Sequence, residues 1–162
     1  MEYAIPHLKG FYDTIYSKNM DVVLKDENNV VEETLSNEYI TNSDIEKYVF
    51  VYGTLMKNQR NHEYLNHSIY IGDGVIDGYQ MYDLGTYPGI VEGKGTVFGE
   101  VYQITKETEN RLDYLEDEGN LYLKKLVVVR LNNNQTVIAM VYVYNQTVSG
   151  LKMLEGKYNM DC

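Results

Sequence analysis

Two features that mark particular classes of protein are scarce or missing in this chain of 162 residues. The single cysteine, Cys162, is the last residue, and no stretch of about eighteen consecutive apolar residues occurs. One cysteine cannot form an internal disulfide, and a terminal residue is poorly placed to act as a nucleophile. The sequence therefore excludes a disulfide framework within the chain and predicts no membrane-spanning helix.

Basic residues are also scarce. Lysine and arginine number 14 against 24 for aspartate and glutamate, which gives a net charge of −10. Because like charges repel, this balance disfavours nucleic acid and anionic membranes as partners. Any anionic ligand would have to be held by backbone N–H dipoles rather than by a basic patch. The amino terminus has no basic region followed by an apolar stretch, so no signal peptide is predicted and we expect a cytoplasmic protein.

The chain divides into two parts of different character. In residues 1–46, apolar residues recur at helical spacing over positions 3–17, and positions 26–46 are acidic and polar. The apolar pattern is denser in residues 47–162, which we predict to form the globular domain. We expect residues 1–46 to be an amino-terminal extension that contributes packing or homodimer contacts rather than chemistry.

Residues 47–162 contain several strand and helix patterns. Runs of β-branched and aromatic residues predict strands, and Thr105 followed by acidic residues predicts the start of a helix. The second strand of the last hairpin is apolar on both faces, which is typical of a barrel or a covered sheet. The predicted elements are a strand at 48–52, a short helix at 60–67, extended segments at 75–82 and 90–91, a strand at 96–102, a helix at 106–118, a hairpin of strands at 123–131 and 137–144, and a tail at 148–162 that is weakly helical at best.

The end of the first predicted strand is the most informative segment. The sequence Phe-Val-Tyr-Gly-Thr-Leu at 50–55 places a glycine directly after an apolar run. Gly53 allows the backbone to turn sharply there. Such a turn can aim consecutive backbone N–H groups at one point and so form a nest for an anion.

A second candidate site lies near the end of the predicted helix at 106–118. Leu112 and Leu115 lie on its inward stripe, and Glu116 is about 40° from Leu112 around the helix axis, at the edge of that stripe. We expect partial burial of Glu116, together with repulsion from Asp113 and Asp117, to raise its pKa. A glutamate with a raised pKa can act as a general acid and base near neutral pH.

Two other interpretations of this acidic segment remain. Acidic runs at helix ends are commonly solvated and have no catalytic role. A divalent-metal site formed by Asp113, Glu116 and Glu118 is disfavoured because Glu118 faces away and no histidine is nearby.

Several other residues are candidates with an ordinary structural alternative. His62 could orient the loop or the substrate, although a lone histidine near a helix start is more often structural. Arg60 and Lys57 could attract an anionic substrate, although such residues are usually only solvated. Tyr87, in the Tyr-Pro-Gly segment at 87–89, and Tyr122 could line a pocket or serve only in packing. The chain has no credible Ser-His-Asp or Cys-His set.

Taken together, these segments resemble the γ-glutamylcyclotransferase-like family over roughly residues 48–145, and most closely its γ-glutamylamine cyclotransferase, AIG2-like branch. The pairing of Tyr-Gly-Thr-Leu with Leu-Asp-x-x-Glu is more specific than either motif alone. One departure concerns Glu116, which is followed by Asp117-Glu118-Gly119, whereas family members that act on γ-glutamyl dipeptides commonly have Glu-Gly here. The matching segments are Phe50-Val-Tyr-Gly-Thr-Leu55, Asn61-His62, Leu65, Tyr87-Pro-Gly-Ile-Val91, Gly99-Glu-Val-Tyr102, Leu112-Asp-Tyr-Leu-Glu116 and Tyr122.

The resemblance implies an α+β fold, a small and mainly antiparallel β-barrel with flanking helices. It implies that Glu116 carries the proton and that backbone amides of the loop at Tyr52, Gly53, Thr54 and Leu55 hold the substrate. Tyr87 and Tyr122 are added as substrate-binding candidates, and no metal or cofactor is expected.

The expected activity is that of a cyclotransferase, which folds a γ-glutamyl amide into 5-oxoproline and releases the free amine. Its substrate would carry both the nucleophile and the electrophile, which fits the lack of a nucleophilic set in the chain. One alternative is a non-catalytic binding module that keeps the fold. Another keeps the chemistry but acts on a γ-glutamyl-blocked amine in a biosynthetic pathway.

Overall fold

The computed structural model describes residues 47–159, so the predicted extension at 1–46 lies outside the described residues. Neither of the helices in this part of the chain is long and apolar enough to cross a membrane. The elements are β1 (Lys47–Val51), a 3-10 helix (His62–Leu65), β2 (Ile69–Asp83), β3 (Pro88–Ile104), α1 (Lys106–Leu115), β4 (Tyr122–Leu131), β5 (Thr136–Tyr144) and β6 (Lys152–Leu154).

Five of these strands close into a barrel in the order β3-β1-β5-β4-β2, and β2 pairs back with β3. The pairings are antiparallel except for β1 with β5, which run parallel with Val49 opposite Met140. The short strand β6 pairs with β2, where Leu154 lies opposite Met81. The predicted α+β class, a small and mainly antiparallel barrel with flanking helices, is confirmed.

Both faces of β1 are buried, which explains its unbroken apolar sequence. Phe50 belongs to a cluster to which all five barrel strands contribute, together with residues such as Ile76, Val101 and Val129. Val49 and Val51 belong instead to a second cluster that includes Leu112 of α1. Because side chains alternate along a strand, β1 lies between the barrel interior and the helix layer.

The barrel closes where β2 meets β4, and a glycine makes this closure possible. Gly74 lies opposite Leu131, and a Cβ atom added to Gly74 would lie 2.8 Å from both the backbone oxygen of Arg130 and Cγ1 of Val129. A larger residue would push the two strands apart. Gly74 therefore permits the close backbone approach that completes the ring.

Several predicted elements differ from the observed ones. The extended segment at 90–91 and the strand at 96–102 are parts of the single strand β3, because β2 pairs with β3 on both sides of the glycine-containing stretch between them. The predicted helix at 60–67 is only a four-residue 3-10 helix. The tail contains β6 rather than a weak helix, because its backbone pairs with residues of β2 that are distant in sequence.

Candidate active site

A cavity of about 270 Å³ lies at the carboxyl end of β1. This volume is near the lower end of the range of about 300–1,000 Å³ typical of small-molecule sites. It therefore suits a ligand of amino-acid size. All seven site residues predicted from the sequence line it, namely Tyr52, Gly53, Thr54, Leu55, Tyr87, Glu116 and Tyr122.

The loop after β1 lines this cavity. Its turn is closed by a hydrogen bond from the N–H of Met56 to the carbonyl oxygen of Gly53 at 3.1 Å. The N–H groups of Gly53, Thr54 and Leu55 donate to no acceptor among residues 47–159. Three consecutive N–H groups in one turn form the kind of nest that binds anions.

The 3-10 helix holds this loop in place. The side-chain amide of Asn61 donates to Oγ1 of Thr54, and the N–H of Asn61 donates to the carbonyl oxygen of Thr54, both at 2.9 Å. Nδ1 of His62 lies 2.9 Å from the carbonyl oxygen of Leu55. Among the alternatives for His62, the structure therefore places it against the loop.

A buried carboxylate holds the other end of the same loop. Glu100 on β3 is 7% exposed, and its Oε1 accepts hydrogen bonds from the N–H of Lys57 at 3.1 Å and from the hydroxyl of Tyr102 at 2.9 Å. These bonds satisfy a carboxylate that would otherwise be costly to bury. Glu100 was not among the predicted site residues, because its contact with the loop depends on the pairing of β1 with β3.

Gly53 is required for a reason different from the predicted one. Its φ lies outside the left-handed region occupied by several other described glycines. A Cβ atom added to Gly53 would instead lie 2.8 Å from Cγ and 2.9 Å from Cδ of Pro88. The backbone does turn after Gly53, but the position requires glycine because the loop lies so close to the start of β3.

The position of Glu116 is set by the way α1 ends. The helix stops at Leu115, three residues earlier than predicted, and Glu116 is its C-cap. Asp117 follows with a positive φ of 53°, and this pattern is a Schellman ending. Two hydrogen bonds complete it, from the N–H of Asp117 to the oxygen of Tyr114 at 3.2 Å and from the N–H of Glu118 to the oxygen of Asp113 at 3.0 Å.

The side chain of Glu116 is half-buried in the cavity wall. Its carboxyl group forms no hydrogen bond with any group among residues 47–159. Burial raises its pKa from 4.5 to about 7. Near neutral pH the protonated and ionised forms are therefore both populated, so this carboxyl can accept a proton and return it.

Burial, and not the predicted repulsion from neighbouring acids, causes this shift. Asp113 accepts hydrogen bonds from Nζ of Lys124, 2.9 and 3.1 Å away, and from the hydroxyl of Tyr142 at 2.7 Å. The positive charge of Lys124 therefore compensates the charge of Asp113. Asp117 is exposed and accepts a hydrogen bond from Asn120, so water screens its charge.

Two buried tyrosines fix the cavity walls. The hydroxyl of Tyr52 donates to the carbonyl oxygen of Tyr142 at 2.7 Å, and the hydroxyl of Tyr122 donates to the carbonyl oxygen of Pro88 at 2.9 Å. Burial, with a smaller contribution from the charge of Glu116, raises the pKa of both hydroxyls. Both are therefore neutral at physiological pH, and each oxygen can still accept a hydrogen bond.

A charged cluster that adjoins the cavity through Tyr142 was not predicted from the sequence. Glu109, in the first turn of α1, is 2% exposed and pairs with Lys124, Lys47 and Lys106. Burial tends to raise its pKa, but the hydrogen bond and charge of Lys124 outweigh this effect and lower it. Tyr142 joins the cluster through Asp113 and also lines the cavity. No signal in the sequence pairs these residues, because the cluster forms only when β4 and β5 pack beside α1.

The two basic candidates occupy different places. Arg60 lines the cavity, and its Nη2 donates to the carbonyl oxygen of Thr86 at 2.6 Å. Nζ of Lys57 lies 3.6 Å from the ring centroid of Tyr70 and does not line the cavity. Among residues 47–159, no group of three or more His, Cys, Asp or Glu side chains is arranged to hold a metal ion.

Comparison with known proteins agrees with this architecture. The family model described as gamma-glutamyl cyclotransferase, AIG2-like, matches residues 49–160. The chain belongs to this family. A curated relative, the gamma-glutamylcyclotransferase family protein YtfP of Escherichia coli (strain K12), is 42% identical over 107 residues, which cover 66% of this chain and 90% of that protein. The resemblance inferred from the sequence is confirmed.

Solved structures show the same fold in the family. A crystal structure of an AIG2-like protein from Mus musculus superposes with a TM-score of 0.62 at 26% identity, covering 68% of this chain and 87% of that one. An uncharacterized protein from Pyrococcus horikoshii gives a TM-score of 0.56 at 33% identity and covers 68% of this chain and 88% of that one. The family match begins at residue 49, so the division of the chain near residue 46 stays a prediction.

Proposed function

We propose that this protein is a γ-glutamyl cyclotransferase that converts a γ-glutamyl amide into 5-oxoproline and a free amine. The observation that carries the proposal is the half-buried carboxyl of Glu116, whose pKa is raised to about 7, in the same cavity as the N–H groups of Gly53, Thr54 and Leu55. Membership of the γ-glutamyl cyclotransferase, AIG2-like family supports the reaction class.

In the proposed reaction the substrate attacks itself. The α-amine nitrogen forms a bond to the γ-carbonyl carbon, and the bond from that carbon to the amide nitrogen breaks. The α-ammonium nitrogen loses two protons as it becomes the ring N–H of 5-oxoproline, and Glu116 carries them in turn to the leaving nitrogen, which departs as a protonated amine. No water is consumed and no protein nucleophile is needed, because nucleophile and electrophile belong to one molecule.

The loop donors and the tyrosines have separate proposed roles. The N–H groups of residues 53–55 hold the α-carboxylate or the oxyanion that develops on the γ-carbonyl oxygen. Tyr52, Tyr87 and Tyr122 line the cavity and fold the substrate so that its amine approaches its own carbonyl. The reaction written in this way requires neither a metal ion nor a cofactor.

The cavity favours this proposal over a non-catalytic module. A binding module needs no carboxyl with a pKa near neutrality, whereas a proton carrier does. The cavity also joins Glu116 to the end of β1 in one continuous wall. A γ-glutamyl-blocked amine from a biosynthetic pathway would undergo the same reaction, so substrates of this type belong in the experimental test.

Product identity tests the proposal. The purified protein is incubated with a panel of γ-glutamyl amino acids and γ-glutamyl alkylamines in water enriched in ¹⁸O, with an enzyme-free sample for spontaneous cyclisation. We expect 5-oxoproline and free amine in equal amounts, with no ¹⁸O in the 5-oxoproline. Release of ¹⁸O-labelled glutamate would mean hydrolysis, and no product from any member would also contradict the proposal.

A further inference from the structure

Opposite charges occur in the cavity wall. Two of the described residues that line the cavity have an acidic or basic side chain, Glu116 and Arg60. Arg60 is exposed, so it lies where the cavity meets solvent. A ligand that reaches from Glu116 to the cavity mouth therefore meets a positive charge at its outer end.

Arg60 is held in place without being neutralised. Its Nη2 donates to the carbonyl oxygen of Thr86 at 2.6 Å, and no carboxylate among residues 47–159 forms an ion pair with it. Arg130, by contrast, pairs with Asp77 at 2.8 Å. A guanidinium group has five N–H donors in a planar fork that matches a carboxylate, so the contact with Thr86 leaves donors available.

In the proposed reaction, one half of the substrate is already accounted for. The N–H groups of residues 53–55 and Glu116 serve the glutamyl half of the substrate. The remaining half is the leaving amine, which must extend from the γ-carbonyl toward solvent. Arg60 at the mouth is therefore placed to contact the leaving amine.

We propose that Arg60 is a specificity residue that binds a carboxylate group on the leaving amine. On this view the preferred substrates are γ-glutamyl amides whose amine carries an acidic group. This inference rests on the proposed cyclotransferase function. The net charge of −10 repels anionic substrates at long range, so a local cation would be needed to accept one.

Three substrates separate charge from size. γ-Glutamyl-L-alanine carries the carboxylate, γ-glutamyl-L-alaninamide replaces it with a neutral amide of similar shape, and γ-glutamylethylamine lacks it. We expect the wild type to favour the first over the other two in kcat/KM by about tenfold, as expected for one charge-assisted contact.

Two substitutions at Arg60 test its role. Arg60→Gln should abolish the preference by lowering kcat/KM for γ-glutamyl-L-alanine about tenfold, with little change for the neutral substrates. Arg60→Lys should retain part of the preference, because it keeps the charge but loses the fork. Arg111→Gln is the matched control, since Arg111 is also exposed and donates to a backbone oxygen, that of Tyr64, but does not line the cavity.

Binding measured without turnover keeps this test separate from the cyclotransferase proposal. Calorimetry on Glu116→Gln and on the double variant Glu116→Gln/Arg60→Gln gives the affinity for γ-glutamyl-L-alanine and its amide. If Glu116→Gln binds γ-glutamyl-L-alanine more tightly than its amide and the double variant does not, the role of Arg60 is supported. This holds even if the wild type shows no turnover, in which case only the proposed reaction is wrong. Equal loss for anionic and neutral ligands, or no preference in the wild type, would overturn the role of Arg60.

Discussion

Glu116 is an unfavourable residue for stability at neutral pH. Its carboxyl is half-buried, and none of the described groups donates a hydrogen bond to it. Burial therefore raises its pKa to about 7 instead of leaving it near 4.5. Natural proteins keep such locally unfavourable residues where function requires them.

The pH dependence of stability tests this description of Glu116. Below pH 4.5 the group is protonated in both the folded and the unfolded chain and has no effect. Between pH 4.5 and 7 the unfolded chain ionises first, so the free energy of unfolding falls as pH rises. We expect Glu116→Gln to remove this fall. Above pH 7 its free energy of unfolding should exceed that of the wild type by up to about 3 kcal/mol.

Urea unfolding of the full chain at pH 4 and at pH 8 measures this difference. The control Glu118→Gln changes an exposed carboxylate just after α1, and its amide oxygen can still accept the hydrogen bond from the N–H of Lys124, so this variant should follow the wild type at both pH values. If Glu116→Gln were no more stable than the wild type at pH 8, the carboxyl would not be a desolvated group.

At the level of single residues, the position of Glu116 was predicted correctly from the sequence, but the cause of its raised pKa was predicted only in part. Helical periodicity placed Glu116 at the edge of the apolar stripe, and the structure places it in the cavity wall. The compensation of Asp113 by Lys124 could not be predicted, because it depends on β4 packing beside α1. The contact of Gly53 with Pro88 likewise depends on strand pairing.

Among the secondary structure elements, the end of α1 decides where Glu116 lies. Asp117 adopts a φ of 53°, and the hydrogen bonds of the Schellman ending depend on that conformation. Aspartate tolerates left-handed backbone better than most residues, whereas a β-branched residue does not. The helix terminus is therefore sensitive to the residue at position 117.

We expect Asp117→Val to lower the free energy of unfolding by about 1–2 kcal/mol and to reduce catalytic activity, because the strained terminus would displace Glu116. Asp117→Gly should be close to the wild type in both respects, since glycine adopts positive φ without steric cost. Thermal unfolding and 5-oxoproline release measure the two effects. Equal behaviour of the two variants would show that the backbone at this position is not constrained.

Element prediction succeeded where local signals were strong. Thr105 caps α1 by accepting a hydrogen bond from the N–H of Thr108 at 3.2 Å, as its place in the sequence indicates. The hairpin of β4 and β5 and the end of β1 were also predicted. The continuity of β3 and the existence of β6 were missed, because both depend on pairing with β2, a contact between residues far apart in sequence.

For the molecule as a whole, the cavity is assembled from segments that are distant in sequence. β1 and its loop, the start of β3, the end of α1, the start of β4 and Tyr142 of β5 all line it. Closure of the barrel brings these segments together, which is why their juxtaposition was inferred from family resemblance and not from periodicity. Both hydrophobic clusters of the described residues likewise draw on several strands.

We expect residues 47–162 expressed alone to fold cooperatively and to release 5-oxoproline at the rate of the full chain, because the described residues of this part form the barrel and the cavity that holds Glu116. Sedimentation of both forms tests the predicted homodimer, which should be present in the full chain and lost on removing residues 1–46. An insoluble or inactive product from residues 47–162 would contradict the predicted division of the chain.

In the proposed reaction, Glu116 is the group that carries protons during cyclisation. The most direct measurement is the initial rate of 5-oxoproline release by Glu116→Gln beside the wild type, at pH 8 on one γ-glutamyl substrate, with Glu118→Gln as the control. We expect a rate at least about 100-fold lower for Glu116→Gln, because a general acid–base is lost, and an unchanged rate for the control. A correctly folded Glu116→Gln protein that works as fast as the wild type would contradict this role.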